Sequence, residues 1–138
     1  MPASEFLDTN VLVYAYDSSD ARKREIAQSL LRQALAGNMA ISTQVLTEFS
    51  AALLHNVSPA VTPETLVDLL AALAPIRLIA IDGDIVRRAV EVRAKYRVHF
   101  YDCMILATAE RGGCNKVWSE DLNSGQKYFG VMVRNPFT

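Results

Sequence analysis

Apolar and polar positions along the chain switch repeatedly between two patterns. Short continuous apolar runs are each followed by longer stretches whose apolar residues recur at helical spacing. The first run, Phe6-Leu7, stops at an acid, Asp8. Asn10 then stands where it can cap a short helix through Val11, Leu12, Val13, Tyr14 and Tyr16. Ser18-Ser19-Asp20 reads as a turn and cap before a helix over 21–36. Its stripe is Ile26, Leu30, Leu31, Ala34 and Leu35, and Gly37-Asn38 ends it. The apolar run 39–42 predicts a second strand. Residues 43–56 predict a helix with Val45, Phe49, Ala52 and Leu53 as its core stripe, and Glu48 borders that stripe.

A loop containing Ser58-Pro59 follows, and Thr62-Pro63 reads as a cap and first helical residue. The helix after it, to residue 74, is apolar on more than one side. Pro75 breaks it, and 76–81 has the unalternating Ile/Leu content of a buried parallel strand. Asp82-Gly83-Asp84 opens a helix that is basic outside. Residues 100–111 predict a nearly all-apolar helix, stopped by Gly112-Gly113. Strands are predicted at 116–119 and 131–133, with a loop at 122–130 between them. Strands alternating with helices throughout predict a three-layer α/β/α sandwich with a mainly parallel central sheet.

Composition narrows the class. A chain of 138 residues with 51% hydrophobic content fits a single domain, 1–138, with a real core. No apolar run reaches the roughly 18 residues needed to span a membrane. No secretion signal is apparent, so a cytoplasmic protein is expected. Cys103 and Cys114 lack CxxC spacing and read as reduced core thiols. A net charge of -1 excludes a generally basic nucleic-acid coat. The charge is uneven, however. Arg22, Lys23 and Arg24 form one basic cluster, and Arg87, Arg88, Arg93, Lys95 and Arg97 form another. Together they could flank a groove for a polyanion.

Four acids stand out by position. Asp8 ends the first strand, where parallel sheets keep their ligand sites. Glu48 lies beside an apolar stripe. Asp102 interrupts Phe100-Tyr101-Asp102-Cys103-Met104-Ile105 in the first turn of the apolar helix, and Asp121 follows a strand. Each also has a plain structural use as a cap, helix or turn residue, and Glu120 competes with Asp121 for the fourth place. A carboxylate among apolar groups must neutralise, pair or bind a cation. Several together favour Mg²⁺ or Mn²⁺, hard ions that prefer oxygen ligands. His55 and His99 lack zinc-ligand spacing. There is no GxxxxGK[ST], GxGxxG or GxSxG. Acids, a divalent cation and no nucleophile suggest metal-assisted phosphodiester hydrolysis.

Leu7-Asp8-Thr9-Asn10-Val11-Leu12, the lone Glu48, Tyr101–Ala107 and Ser119-Glu120-Asp121-Leu122-Asn123 resemble the four acidic motifs of PIN-domain ribonucleases. Length and motif order are similar to the small VapC-type toxins of bacterial toxin–antitoxin pairs, and Asn135-Pro136-Phe137 looks like a subset of them. The resemblance implies an endoribonuclease that hydrolyses RNA phosphodiesters by metal-activated water, leaving 5′-phosphate ends. It implies Asp8, Glu48, Asp102 and Asp121 as the catalytic acids, with Asp8, Asp102 and Asp121 as metal ligands. Glu48 or Asp102 would orient or deprotonate the water. Thr9, Asn10 and Ser119 match supporting positions. Asn123 stands where many members carry a further acid, so it supplies no charge for a second cation.

The same resemblance implies a homodimer and a VapB-type antitoxin that blocks the acidic groove with an Arg or Lys. The leucine-rich stretch 45–74, free of Lys and Arg, is the expected contact surface. A different reading keeps the fold and drops the catalysis: an acid-pocket regulatory module of receiver type. Such domains need a lysine late in the chain near the phosphorylated acid, and Lys116 lies at the wrong end of its strand.

Overall fold

The computed structural model describes residues 5–57 and 59–138. Ser58, expected in a loop, lies outside them. Among the described residues, six strands form one sheet: β1 (Glu5–Leu7), β2 (Met39–Ser42), β3 (Arg77–Ile79), β4 (Lys116–Trp118), β5 (Lys127–Tyr128) and β6 (Val131–Arg134). Their order is β3-β2-β1-β4-β6-β5, parallel except for the β5–β6 pair. The α-helices among the described residues are α1 (Thr9–Tyr14), α2 (Ala21–Gln33), α3 (Thr43–His55), α4 (Pro63–Ala72), α5 (Gly83–Tyr96) and α6 (Phe100–Arg111). This is the expected three-layer sandwich. α1 packs on α2 and α3, while α5 pairs with α6, which lies against β4 and β6.

Strand β1 is central, and the chain leaves it toward β2 on one side and returns to β4 on the other. The connections therefore diverge at the carboxyl ends of β1 and β4, which opens a crevice there. Asp8 follows β1, and Ser119-Glu120-Asp121 follows β4. The two segments are tied at the base by Asp8 N–H donating to Trp118 O at 3.0 Å. Both cysteines are buried and unbridged. The core beneath the site is Phe6, Leu7, Val11, Leu12, Phe49 and Leu106, each 1% exposed or less. Among the described residues no helix is long and apolar enough to cross a membrane.

Several expectations need correction. Asn10 does not cap α1; Asp8 does, accepting from Thr9 N–H. Asp8 follows the strand directly, two residues before Asn10, so the cap position falls to it. The α2 helix ends at Gln33. A wider turn then runs through Ala34–Asn38, with Gly37 at φ 107°, a value that favours glycine. Leu35 is consequently left exposed. The run 76–81 is a three-residue edge strand, not a buried one. Arg77 and Leu78 are exposed on it, and Leu78 is 50% accessible. The segment 122–130 is not all loop. It holds β5, folded onto β6 by Phe129 and Gly130, both at positive φ.

Helix α3 carries Glu48, and its start is fixed by Ser42, a fully buried residue whose hydroxyl accepts from Val45 N–H at 3.1 Å. Ser42→Ala would leave that amide unpaired in the core. The expected cost is about 1–2 kcal/mol, read as a lower urea midpoint with an unchanged slope.

Candidate active site

Asp8 is 4% exposed. Its Oδ1 accepts from Thr9 N–H at 2.7 Å and its Oδ2 from Ser119 Oγ–H at 2.7 Å. Burial pushes its carboxyl up to about 7, against the pull of those two hydrogen bonds, and the neighbouring charges of Asp121 and Asp102 add to the rise. Asp102, in the first turn of α6, is also raised. Burial is the main cause, followed by Asp121, with Glu48 adding less and His99 opposing. Asp121 is exposed at the rim. One carboxylate oxygen from each of Asp8, Asp102 and Asp121 lies within 4.8 Å of the others.

The other predicted residues surround this group. Glu48 projects from α3 and accepts from Thr9 Oγ1–H at 2.7 Å. It stands outside the three converged acids, close enough for its charge to act on Asp102. Asn10, freed from capping, donates from Nδ2 to Asp121 Oδ2 at 2.9 Å and accepts Glu120 N–H at 3.3 Å. Ser119 is fully buried. Its hydroxyl donates to Asp8 and accepts Asp121 N–H at 3.1 Å, so one oxygen couples acids from two strands. Asn123 does not join: it is exposed and donates to Gln126 Oε1 at 3.2 Å. A cleft of about 520 Å³ opens beside the acids, bordered by Thr9, Asn10, Tyr14, Asp17, Glu48 and Asp121.

Glu120 and Asp121 point in different directions, and only Asp121 meets Asp8 and Asp102. Glu120 turns away, forms an ion pair with Lys23, and accepts from Tyr14 Oη–H at 2.8 Å. That pairing holds its carboxyl below its usual range despite partial burial. Gln44 was not anticipated. Its amide donates to Tyr101 O at 3.2 Å and, more weakly, to Glu48 Oε2 at 3.4 Å, so it links α3 to the start of α6. Its position one helical turn before Glu48 was the available signal.

The expected basic groove walls are in part spent on other contacts. Arg22 donates to Phe137 O, Lys23 pairs with Glu120, Arg87 with Asp84, and Arg88 with Glu110. Among the described residues no Lys or Arg forms an ion pair with Asp8, Glu48, Asp102 or Asp121. The receiver reading fails on this point. Lys116 is in register with Glu5, at the far end of the sheet from Asp8, and lies over the Trp118 ring.

A buried carboxyl with no cationic partner, converging with two others, offers only hard oxygen donors. Those donors fit a divalent cation such as Mg²⁺ or Mn²⁺ and do not suit a soft metal. Asp8, Asp102 and Asp121 could hold such an ion.

Comparison with known proteins agrees with this architecture. No curated protein matches the sequence. Solved structures do. A toxin–antitoxin complex from Klebsiella pneumoniae is similar at 24% identity and TM-score 0.68, over 96% of this chain and 98% of that one. VapC20 of Mycobacterium tuberculosis, described as a sarcin–ricin loop cleaving toxin, is similar at 20% identity and TM-score 0.68, over 86% and 90%. DNA-bound VapBC from Salmonella typhimurium is similar at 18% identity and TM-score 0.69, over 97% and 98%. At these identities the likeness establishes a shared fold. The sequence profile of the PIN domain matches residues 6–128. That match takes in Asp8, Glu48, Asp102 and Asp121, and by it the chain belongs to the PIN domain family.

Proposed function

We propose that the protein is a Mg²⁺- or Mn²⁺-dependent endoribonuclease, the toxin of a type II toxin–antitoxin pair. The observation that carries this is the convergence of Asp8, Asp102 and Asp121 with no protein cation among them. Bound there, a divalent cation would ionise water and offset charge on a phosphodiester. The chain's own residues do the rest. Ser119 and Thr9 N–H fix both oxygens of Asp8. Asn10 holds Asp121 toward the centre. Thr9 Oγ1 engages Glu48 Oε1, which leaves Oε2 the freer oxygen to take a proton from the attacking water. The similar structures include toxins and toxin–antitoxin complexes, which supports the same assignment here.

Two protein partners go with this reading. An antitoxin would cover the 520 Å³ cleft and meet its acids with a basic side chain. A second copy would cover the apolar groove of about 280 Å³ formed by Leu46, Leu70, Leu73, Ile76 and Leu78, on the exposed edge of the sheet. This groove draws on the leucine-rich stretch singled out by sequence, and Val67, 65% exposed, lies in that same stretch.

The test is incubation of total cellular RNA with purified, antitoxin-free protein. Discrete fragments are expected with Mg²⁺ or Mn²⁺. They should disappear in EDTA and return when the cation is restored in excess. Intact RNA from a folded sample under every condition would overturn the proposal.

A further inference from the structure

Helices α5 and α6 form an antiparallel pair joined by residues 97–99. The far end of the pair is marked by Arg111, which meets Asp82 at 2.9 Å. The carboxyl end of α5 therefore lies beside the amino end of α6, where Asp102 stands. The basic residues of α5 divide along this axis. At the far end they are engaged: Arg87 with Asp84, and Arg88 with both oxygens of Glu110. At the near end, Arg93 and, just past the helix, Arg97 are exposed and make no ion pair among the described residues. They border a recess of about 290 Å³ with Ala94 between them.

Arg97 takes a left-handed φ of 59° and turns the chain sharply toward His99. The His99 ring then lies 5.8 Å from the Tyr101 ring. Tyr101 is 60% exposed although it adjoins Asp102 in a helix whose later turns are buried. Its backbone is held by Gln44, so the ring is presented from a fixed carbonyl. Two guanidinium groups outside any ion pair among the described residues and an exposed tyrosine thus lie at the end of the α5–α6 pair that carries Asp102.

We propose that this rim is the track for the RNA strand beside the scissile bond, with Arg93 and Arg97 contacting its phosphates and Tyr101 stacking on an unpaired base. The inference rests on the nuclease reading. A polyanion approaching a cluster of acids needs cations placed next to them, and these are the arginines the fold leaves available there. An exposed ring beside them suits single-stranded RNA, whose bases are open to stacking.

Anisotropy of a labelled, mixed-sequence single-stranded RNA tests this, in Mg²⁺ and in Glu48→Gln protein so that the probe survives. Arg93→Gln with Arg97→Asn, asparagine being tolerant of the left-handed φ, should weaken binding roughly tenfold near 150 mM salt. It should also flatten the log–log salt slope by about 1.4, two phosphate contacts' worth. Arg87→Gln with Arg111→Gln removes equal charge at the far end and should leave both quantities unchanged. Tyr101→Ala should weaken binding about tenfold with the slope intact. Equal losses from both arginine pairs would overturn the track. So would a near-end pair that binds, and in the Glu48 background cleaves total RNA, as its parent does. If the unsubstituted protein cuts no RNA at all, the nuclease reading fails and the track with it.

Discussion

Stripped of divalent cations, the protein should lose about 2 kcal/mol of stability between about pH 5.5 and pH 8, where most proteins are near their maximum. The cause is Asp8. Its folded-state carboxyl sits at about 7, above the 3.8 of the free group, so between those values the folded state binds a proton that the unfolded chain does not. Stability is then highest at low pH within this window and falls as pH rises through 7. The usual carboxylate, held below its normal value by a partner, behaves oppositely. Asp102 is raised too and adds in the same direction. A cation at the proposed site would bind its ionised form, so Mg²⁺ should stabilise the protein more at pH 8 than at pH 5.5 and should release protons as it binds. Asp8→Asn removes the titration while leaving an oxygen to cap α1. Its stability should fall much less over the same range, the remainder coming from Asp102, and should exceed that of the metal-free parent at pH 8, with Mg²⁺ stabilisation lost. Urea denaturation in EDTA at the two pH values measures all of this. A parent stability that rises across the window, or an Asp8→Asn variant that keeps the whole fall, would refute the account.

Glu48→Gln and Asp102→Asn should both reduce RNA cleavage by about 10²–10⁴-fold, by separable routes. Glu48 is outside the converged group and is held by Thr9, so replacing it leaves the three converged carboxylate oxygens in place. That variant should keep Mg²⁺-dependent stabilisation and lose kcat with little change in the cation concentration needed for half-activation. Asp102 supplies one of the three oxygens. Its asparagine variant should need much more cation, and its melting temperature should respond weakly to Mg²⁺. Melting curves over a Mg²⁺ titration, beside cleavage rates, separate the two. If both variants lose cation stabilisation equally, Glu48 belongs with the ligands and its proposed role as a base is wrong.

Much of this site was legible because the acids interrupt apolar sequence. Asp8 and Asp102 could be singled out because a carboxylate bounded by Phe6-Leu7, or placed before Cys103–Leu106, has few harmless uses. What was not legible depends on contacts distant along the chain. Which of Glu120 and Asp121 faces the site is set by Lys23 and Tyr14, which draw Glu120 aside. Asn10 reads locally as a cap, and only the arrival of Asp121 across the crevice gives its amide another use. The edge position of β3 has no signature, because a short Ile/Leu run looks the same in mid-sheet. β5 is two residues long and depends on a turn whose first residue, Phe129, takes an uncommon positive φ that no glycine or asparagine announces. Lys23, Arg87 and Arg88 looked like groove walls because their acidic partners could not be paired with them by sequence.

The adjacency of β1 and β4 has a kinetic meaning. In-register pairing of Glu5 with Lys116 brings together residues more than a hundred positions apart, and Asp8 and Asp121 meet only through it. Closing so long a span is a slow, late step in folding, and parallel pairing gives no local shortcut. No proteolytic fragment ending before β4 can hold the site, however well its helices form. During refolding, catalytic competence should therefore lag behind helix content and appear only as the sheet closes, which makes activity a direct reporter of the final folding event.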